Sequence, residues 1–382
     1  MKNELIKTPR EVNKMIGASK IGLPVFVATF AAISLAYAGG QQEDMKPNAC
    51  KGPTLCNTRP NVDSNDFFFD AGFLLEQARV TGTMFGYLLN NNAAQGASAE
   101  SAVGQRPSFN VDWGLTVAAG RHFQHDDWDL VFSFDWLSST GNSKTNTEYG
   151  QTFVPVNLRS DGVVNGTTNL LYTTNANSTL KVNYYMLDAV IGRGSYLGGC
   201  SSITPHFGLK AAWMGYKNTV KLTGGNVPAG TVYYLVKNDS FWGVGPDVGI
   251  DAMFGMSEGL SIFIDNSAGI LLGYSSINDH SWSNFNASGL TMTYNESGIP
   301  MMSPTLKMYL GIMYERSVYY GCQNLRVKGG WDTAFYFNQF MNAYILNEIA
   351  QPGSGVSNPR FHTAENNTFS LTGLRIDVCW DF

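Results

Sequence analysis

The chain has 382 residues, a formal net charge of −5, and only 14% charged residues against 13% aromatic ones and 41 glycines. Typical soluble domains carry about 25% charged residues. Beyond residue 40 no apolar run reaches the length of a helical membrane span, and the acidic balance excludes nucleic-acid binding through a basic surface. What remains is a sheet protein with one oily face, either a large soluble β-sandwich or a transmembrane β-barrel.

In chain order, Lys2, Lys7, Arg10, Lys14 and Lys20 form a basic leader. Ile21 to Leu35 is apolar, and Ala36-Tyr37-Ala38 supplies a small-x-small cleavage pattern. Residues 1–38 thus read as a cleaved signal peptide. The leader holds five of the 25 basic residues and two of the 30 acidic ones, so the mature chain has 20 against 28, net −8. Residues 39–65, with Pro47, Pro53 and Pro60, read as an irregular periplasmic segment. Residues 66–382 are expected to form the barrel.

From there apolar and polar residues alternate, as they do when a strand sends successive side chains to opposite faces. Trp128, Leu130, Phe132, Phe134 and Trp136 form one oily face. Leu306 to Tyr314 and Leu325 to Phe337 repeat the pattern, and Leu374, Ile376, Val378, Trp380 and Phe382 end the chain. Weaker alternation marks 67–77, 112–122, 181–195, 203–217, 240–254 and 260–274. That predicts ten clear strands, with as many as sixteen if Thr152–Val156, Thr168–Thr173 and Thr291–Tyr294 contribute hairpins. Short links (123–127, 196–202, 255–259, 317–324) alternate with long ones (91–111, 138–180, 218–239, 275–304, 339–366). Such alternation fits an all-β, antiparallel outer-membrane barrel with short periplasmic turns and long extracellular loops. A sandwich has no reason to alternate so strictly.

The cysteines Cys50, Cys56, Cys200, Cys322 and Cys379 are candidates for disulfides in an exported chain, all placed at or near the periplasmic rim. Five is odd, which leaves one free or paired with another chain. Their spacing does not suit zinc, and no metal or cofactor is expected.

These patterns resemble the major outer membrane proteins of chlamydiae, their environmental relatives and Legionella, over about Phe67 to Phe382. The resemblance rests on His125-Asp126-Asp127-Trp128-Asp129-Leu130, on Phe241-Trp242-Gly243-Val244-Gly245, and on the final Trp380-Asp381-Phe382. It implies porin activity, surface exposure and, in chlamydiae, a disulfide-linked envelope. Only five cysteines argue against an extensive network and lean toward the Legionella-like branch. The resemblance to outer-membrane barrels also implies that Trp380 and Phe382 signal to the assembly machinery.

The expected function is passive diffusion of small solutes and ions. The expected lumen-facing residues are Glu76, Asp129, Asp135, Asp188, Lys210, Asp247, Asp251, Asp265, Lys307, Arg326, Lys328, Asp332, Arg375, Asp377 and Asp381. Acidic residues lead ten to five, which favours cations. An envelope-structural role goes with it, and the alternative is a plugged, non-conducting barrel acting as adhesin or scaffold. Small barrels are filled by side chains, so a closed ten-strand count weakens the channel reading. Expected partners are outer-membrane lipid, the assembly machinery, copies of itself (a trimer), disulfide-linked envelope proteins and a host surface through the long loops. No enzyme is expected: Asp279-His280 alone sets a carboxylate beside a histidine in an outer loop.

Overall fold

The computed structural model describes residues 67–90, 101–123, 128–149, 151–155, 173–196, 200–225, 227, 229–257, 259–283, 292–318, 323–347 and 359–382. The signal peptide, the segment 39–65, Cys50, Cys56, Cys322 and His125-Asp126-Asp127 lie outside these residues.

Among the described residues every element is a strand. They are β1 (Phe67–Val80), β2 (Gly86–Asn90), β3 (Ser101–Gln105), β4 (Ser108–Phe109), β5 (Val111–Phe123), β6 (Trp128–Asn146), β7 (Gln151–Pro155) and β8 (Asn175–Arg193). There follow β9 (Ser195–Tyr196), β10 (Ser201–Thr223), β11 (Tyr233–Ser257), β12 (Leu260–Ser283), β13 (Met292–Val318), β14 (Gln323–Asn347) and β15 (Pro359–Asp381). Ten of them pair antiparallel in the cyclic order β1-β5-β6-β8-β10-β11-β12-β13-β14-β15. The barrel closes where β15 returns to β1, from Phe68↔Asp381 to Val80↔Phe369. Phe67 and Phe382 seal that seam with reciprocal backbone hydrogen bonds of 3.1 and 2.9 Å. Closure leaves no unpaired edge, which a lipid environment requires because it offers no water to unpaired amides.

The range of ten to sixteen strands thus settles at ten. Gln151–Pro155 does form a strand, but it joins β2 and β3 in a separate three-stranded sheet. Thr173 makes only an isolated bridge to Phe153. Residues 292–294 extend β13 rather than add a hairpin. The expected links at 218–239, 275–304 and 339–366 are shorter than the alternation suggested, because β10 to β15 run on past the oily band; on β10 the outer face there is Lys217, Thr219 and Lys221.

The outward face explains the oily alternation. Val248, Ile312 and Trp331 face outward with more than half their surface uncovered (58%, 57% and 56%). Apolar exposure on that scale, strand after strand, is a lipid contact surface. On β11 it runs from Trp242 to Phe254; the twelve steps between them at ~3.3 Å each, tilted about 40°, span roughly 30 Å, a bilayer core. The band is bounded outwardly by a cross-strand run of aromatics, Trp136↔Tyr185↔Trp213↔Trp242↔Tyr274. Such rings sit well at a lipid–water boundary. At the other end the β11–β12 turn is two residues long, with Ser257 paired to Leu260 and Gly259 at φ +71°, a conformation that glycine adopts without strain.

Candidate functional site: the barrel lumen

All fifteen residues assigned to the lumen from the sequence stand on the inward parity of their strands. The parity is even on β1, β8, β10 and β14 and odd on β6, β11, β12, β13 and β15. They fall into two zones. A cavity of about 310 Å³ occupies the short-turn half, between Phe68, Met253, Phe263 and Met313. Its charged wall carries Asp129, Asp251, Asp265, Arg326, Lys328 and Arg375. Here His122 Nδ1 meets Asp129 at 2.5 Å, His206 Nδ1 lies 3.3 Å from Asp251, and Arg326 donates to Asp381 at 2.6 Å. A neighbouring cavity of about 170 Å³ reaches inward past Asp188, Asp247, Lys307 and Asp377.

Several of the charges that line these cavities also join a cross-braced layer. Lys307 on β13 donates to Asp135 on β6 at 2.7 Å. Those strands are five apart in a ring of ten, so the bond crosses the lumen along its diameter. Asp135 also accepts from Thr116 at 2.6 Å. Arg375 binds Asp377 through Nε at 2.8 and 2.9 Å and reaches Asp332 at 3.4 Å. Lys210 is buried between Asp247 at 2.7 Å and Ser267 at 3.1 Å, and Lys328 reaches Asp265 at 3.4 Å. Glu76 and Asp332 are both buried and pair in register with opposite sides of Gly373. A Cβ on Gly373 would come within 2.0 Å of the Leu75 carbonyl oxygen. Glycine there lets the chain of β15 lie close under the two carboxylates.

Farther out the lumen turns apolar. Tyr184 on β8 and Tyr336 on β14, again diametrically opposed, share a hydroxyl–hydroxyl bond of 2.5 Å. One hydroxyl donates to the other, and the second is free to donate to the Met186 sulfur, which lies 3.2 Å from Tyr184 Oη and 3.0 Å from Tyr336 Oη. Phe369 packs on both rings at 5.8 and 6.0 Å. Leu137, Met214, Phe241, Leu271 and Leu371 join this buried cluster. In the long-loop extension a second cluster joins Phe85 and Phe153, from and beside the small sheet, to Val220, Leu222, Tyr233 and Leu235 on the barrel's inner wall.

The apolar layer was not among the residues picked out from the sequence. The available signal was that Tyr184 and Met186, and again Tyr336, sit in strands apolar on both faces, where a water-lined lumen calls for polar residues. Above the band, Asp239 and Asp279 are buried at 1% exposure each, and both Asp279 oxygens lack a hydrogen-bond partner. Burial pushes the Asp279 carboxyl up to about 6, against the pull of Lys237. Burial, then the neighbouring Asp279, raises Asp239 well above the usual carboxylate range. His280 does not join them, because strand alternation turns it outward to Thr293 at 2.8 Å and onto the face of Trp282.

Cys379 corrects the expectation of a disulfide at that position. It is free, buried on the lumen face, and held between Arg326 (3.4 Å) and Asp381 (3.5 Å). Inward parity denies it a partner from outside the barrel.

A closed ten-strand barrel with an oily outer band and an ionic interior defines an outer-membrane β-barrel protein. The chain belongs to the family described as Legionella pneumophila major outer membrane protein precursor, whose model matches residues 62–382. This is the Legionella side of the resemblance carried by the motifs. No curated protein matches the chain. Among solved structures it is similar to the outer membrane protease OmpT from Escherichia coli, with 10% identity over 83% of this chain and 96% of that one, TM-score 0.41. It is similar also to a Pseudomonas aeruginosa FadL homologue, with 6% identity over 84% and 90%, TM-score 0.22. The architecture rests on the strand pairing rather than on these likenesses.

Proposed function

We propose that this outer-membrane protein is a narrow, cation-preferring diffusion channel whose lumen is closed at rest, not a wide general porin. The carrying observation is the ionic lumen, where Asp70, Asp129, Asp188, Asp247, Asp251, Asp265 and Asp377 outnumber Lys307, Arg326, Lys328 and Arg375 around cavities of about 310 and 170 Å³. Ionised groups are expensive to bury dry. An interior with more acids than bases is best served by water and mobile cations. The Tyr184–Tyr336 bond and Phe369 then act as the constriction.

A second reading is favoured by that same constriction. Bonds across the full diameter, with apolar packing above them, suit a permanently plugged barrel that displays its long loops and strengthens the envelope. The Cys200 disulfide is internal to the chain and stiffens the short-turn end of such a barrel.

Planar-bilayer recording of the refolded full chain across a salt gradient separates the two. Small, brief steps with a cation-selective reversal potential support the channel. Silence from folded protein, persisting in a Y184A/Y336A/F369A variant, overturns it in favour of the plugged scaffold.

A further inference from the structure

The outer wall of the long-loop extension carries a basic patch that the lumen does not use. β6, β8 and β10 run side by side there, and their register sets out nine outward positions in three rows. The rows are Thr140/Lys181/Lys217, Asn142/Thr179/Thr219 and Lys144/Asn177/Lys221. Four of the nine are lysines, all exposed. The other five are Asn or Thr, and none is acidic.

Lys181 and Lys217 are direct cross-strand partners. Like charges placed opposite each other weaken a sheet, so the arrangement calls for an anion between them. Among the described residues none of the four lysines has a carboxylate within salt-bridge distance. The patch also has a defined depth. Lys181 and Lys217 stand four residues beyond Tyr185 and Trp213, the aromatic pair that bounds the oily band. Four residues on a tilted strand rise about 10 Å, from the acyl boundary into the headgroup layer. An aromatic belt with lysines one headgroup above it, on the outer face of the wall, meets lipid rather than solute.

We propose that Lys144, Lys181, Lys217 and Lys221 bind the phosphate groups of a phosphorylated lipid in the outer leaflet, whose acyl chains lie against Trp136, Tyr185 and Trp213. Charge complementarity selects the headgroup, and the aromatic run receives the chains.

Native mass spectrometry of the detergent-solubilised full chain, titrated with bisphosphorylated lipid A, tests this. The expected result is retained lipid on the wild type, with at least tenfold weaker retention of the dephosphorylated lipid. K144Q/K181Q/K217Q/K221Q should lose retention at least tenfold, while the four-arginine variant keeps it. Heat-modifiability on gels confirms that each variant is folded. Equal retention by the glutamine variant overturns the proposal. So does indifference to the lipid's phosphates, or displacement by inorganic phosphate at concentrations matched to the lipid.

Discussion

At the residue scale, a few bonds cross the lumen from one wall to the other. Asp135 has two partners, Thr116 and Lys307, and the lysine reaches it from the opposite wall. Replacing Asp135 by Asn strands the Lys307 ammonium in a partly buried site. Removing one member of a buried pair costs about 3–5 kcal/mol, and partial hydration of the lumen places the loss at the low end. Urea or SDS unfolding of the refolded barrel should show a loss of about 3 kcal/mol, largely relieved in D135N/K307M. Phe369 is fully buried against both tyrosines. F369A should cost about 3 kcal/mol through the cavity it leaves. In bilayers the same variant should lengthen open times if that cavity relieves the constriction.

At the scale of the element, the extensions of β11 and β12 beyond the band carry the pH-sensitive pair. Asp279 has a folded pKa near 6 against an ordinary value of 3.8. The folded state therefore binds more protons than the unfolded one between those values. Its contribution is fully present below about pH 4 and fades as pH rises through 6. Two units correspond to about 3 kcal/mol, with Asp239 acting in the same direction. Amide protection across 233–241 and 275–283, corrected for the intrinsic pH dependence of exchange, should be higher at pH 5 than at pH 7.5, and D279N should flatten that difference. An unchanged pH profile in D279N would refute the assignment. β15 makes a separate demand at Gly373. A Cβ there meets backbone at 2.0 Å rather than a movable side-chain end. G373V should therefore impair folding of the whole barrel, seen as loss of the heat-modifiable band.

At the scale of the whole molecule, ten strands set the bore. Eight strands leave an interior that side chains just fill, and sixteen leave a water channel. Ten lies close to the filled limit, so long inward side chains reach each other across the diameter. Conductance should accordingly rise by several-fold in Y184A/Y336A, while cation preference persists because the acidic residues are untouched. Neutralising Asp188 and Asp247 should instead reduce selectivity with little change in step size. Reversal potentials in a salt gradient measure both.

How much of this was legible in the sequence follows from period and parity. Strand alternation depends on nearest neighbours, so the oily outer face, the ten strands, the short turns and the inward parity of Glu76 or Asp332 could all be read along the chain. The terminal Trp380-Asp381-Phe382 already pointed to the closing strand. Tyr184 and Tyr336 were not recognisable as a constriction, because they are 152 positions apart and meet only when β8 and β14 stand opposite in a closed ring. The long-loop extensions of β10 to β15 were missed because both their faces depart from the oily–polar code once they leave the lipid. By itself the sequence determined which side of each strand meets lipid, since transfer free energy acts residue by residue. Only the tertiary structure decided what meets across the lumen, and hence that the interior is bridged, because strand number and register set the distance between opposite walls.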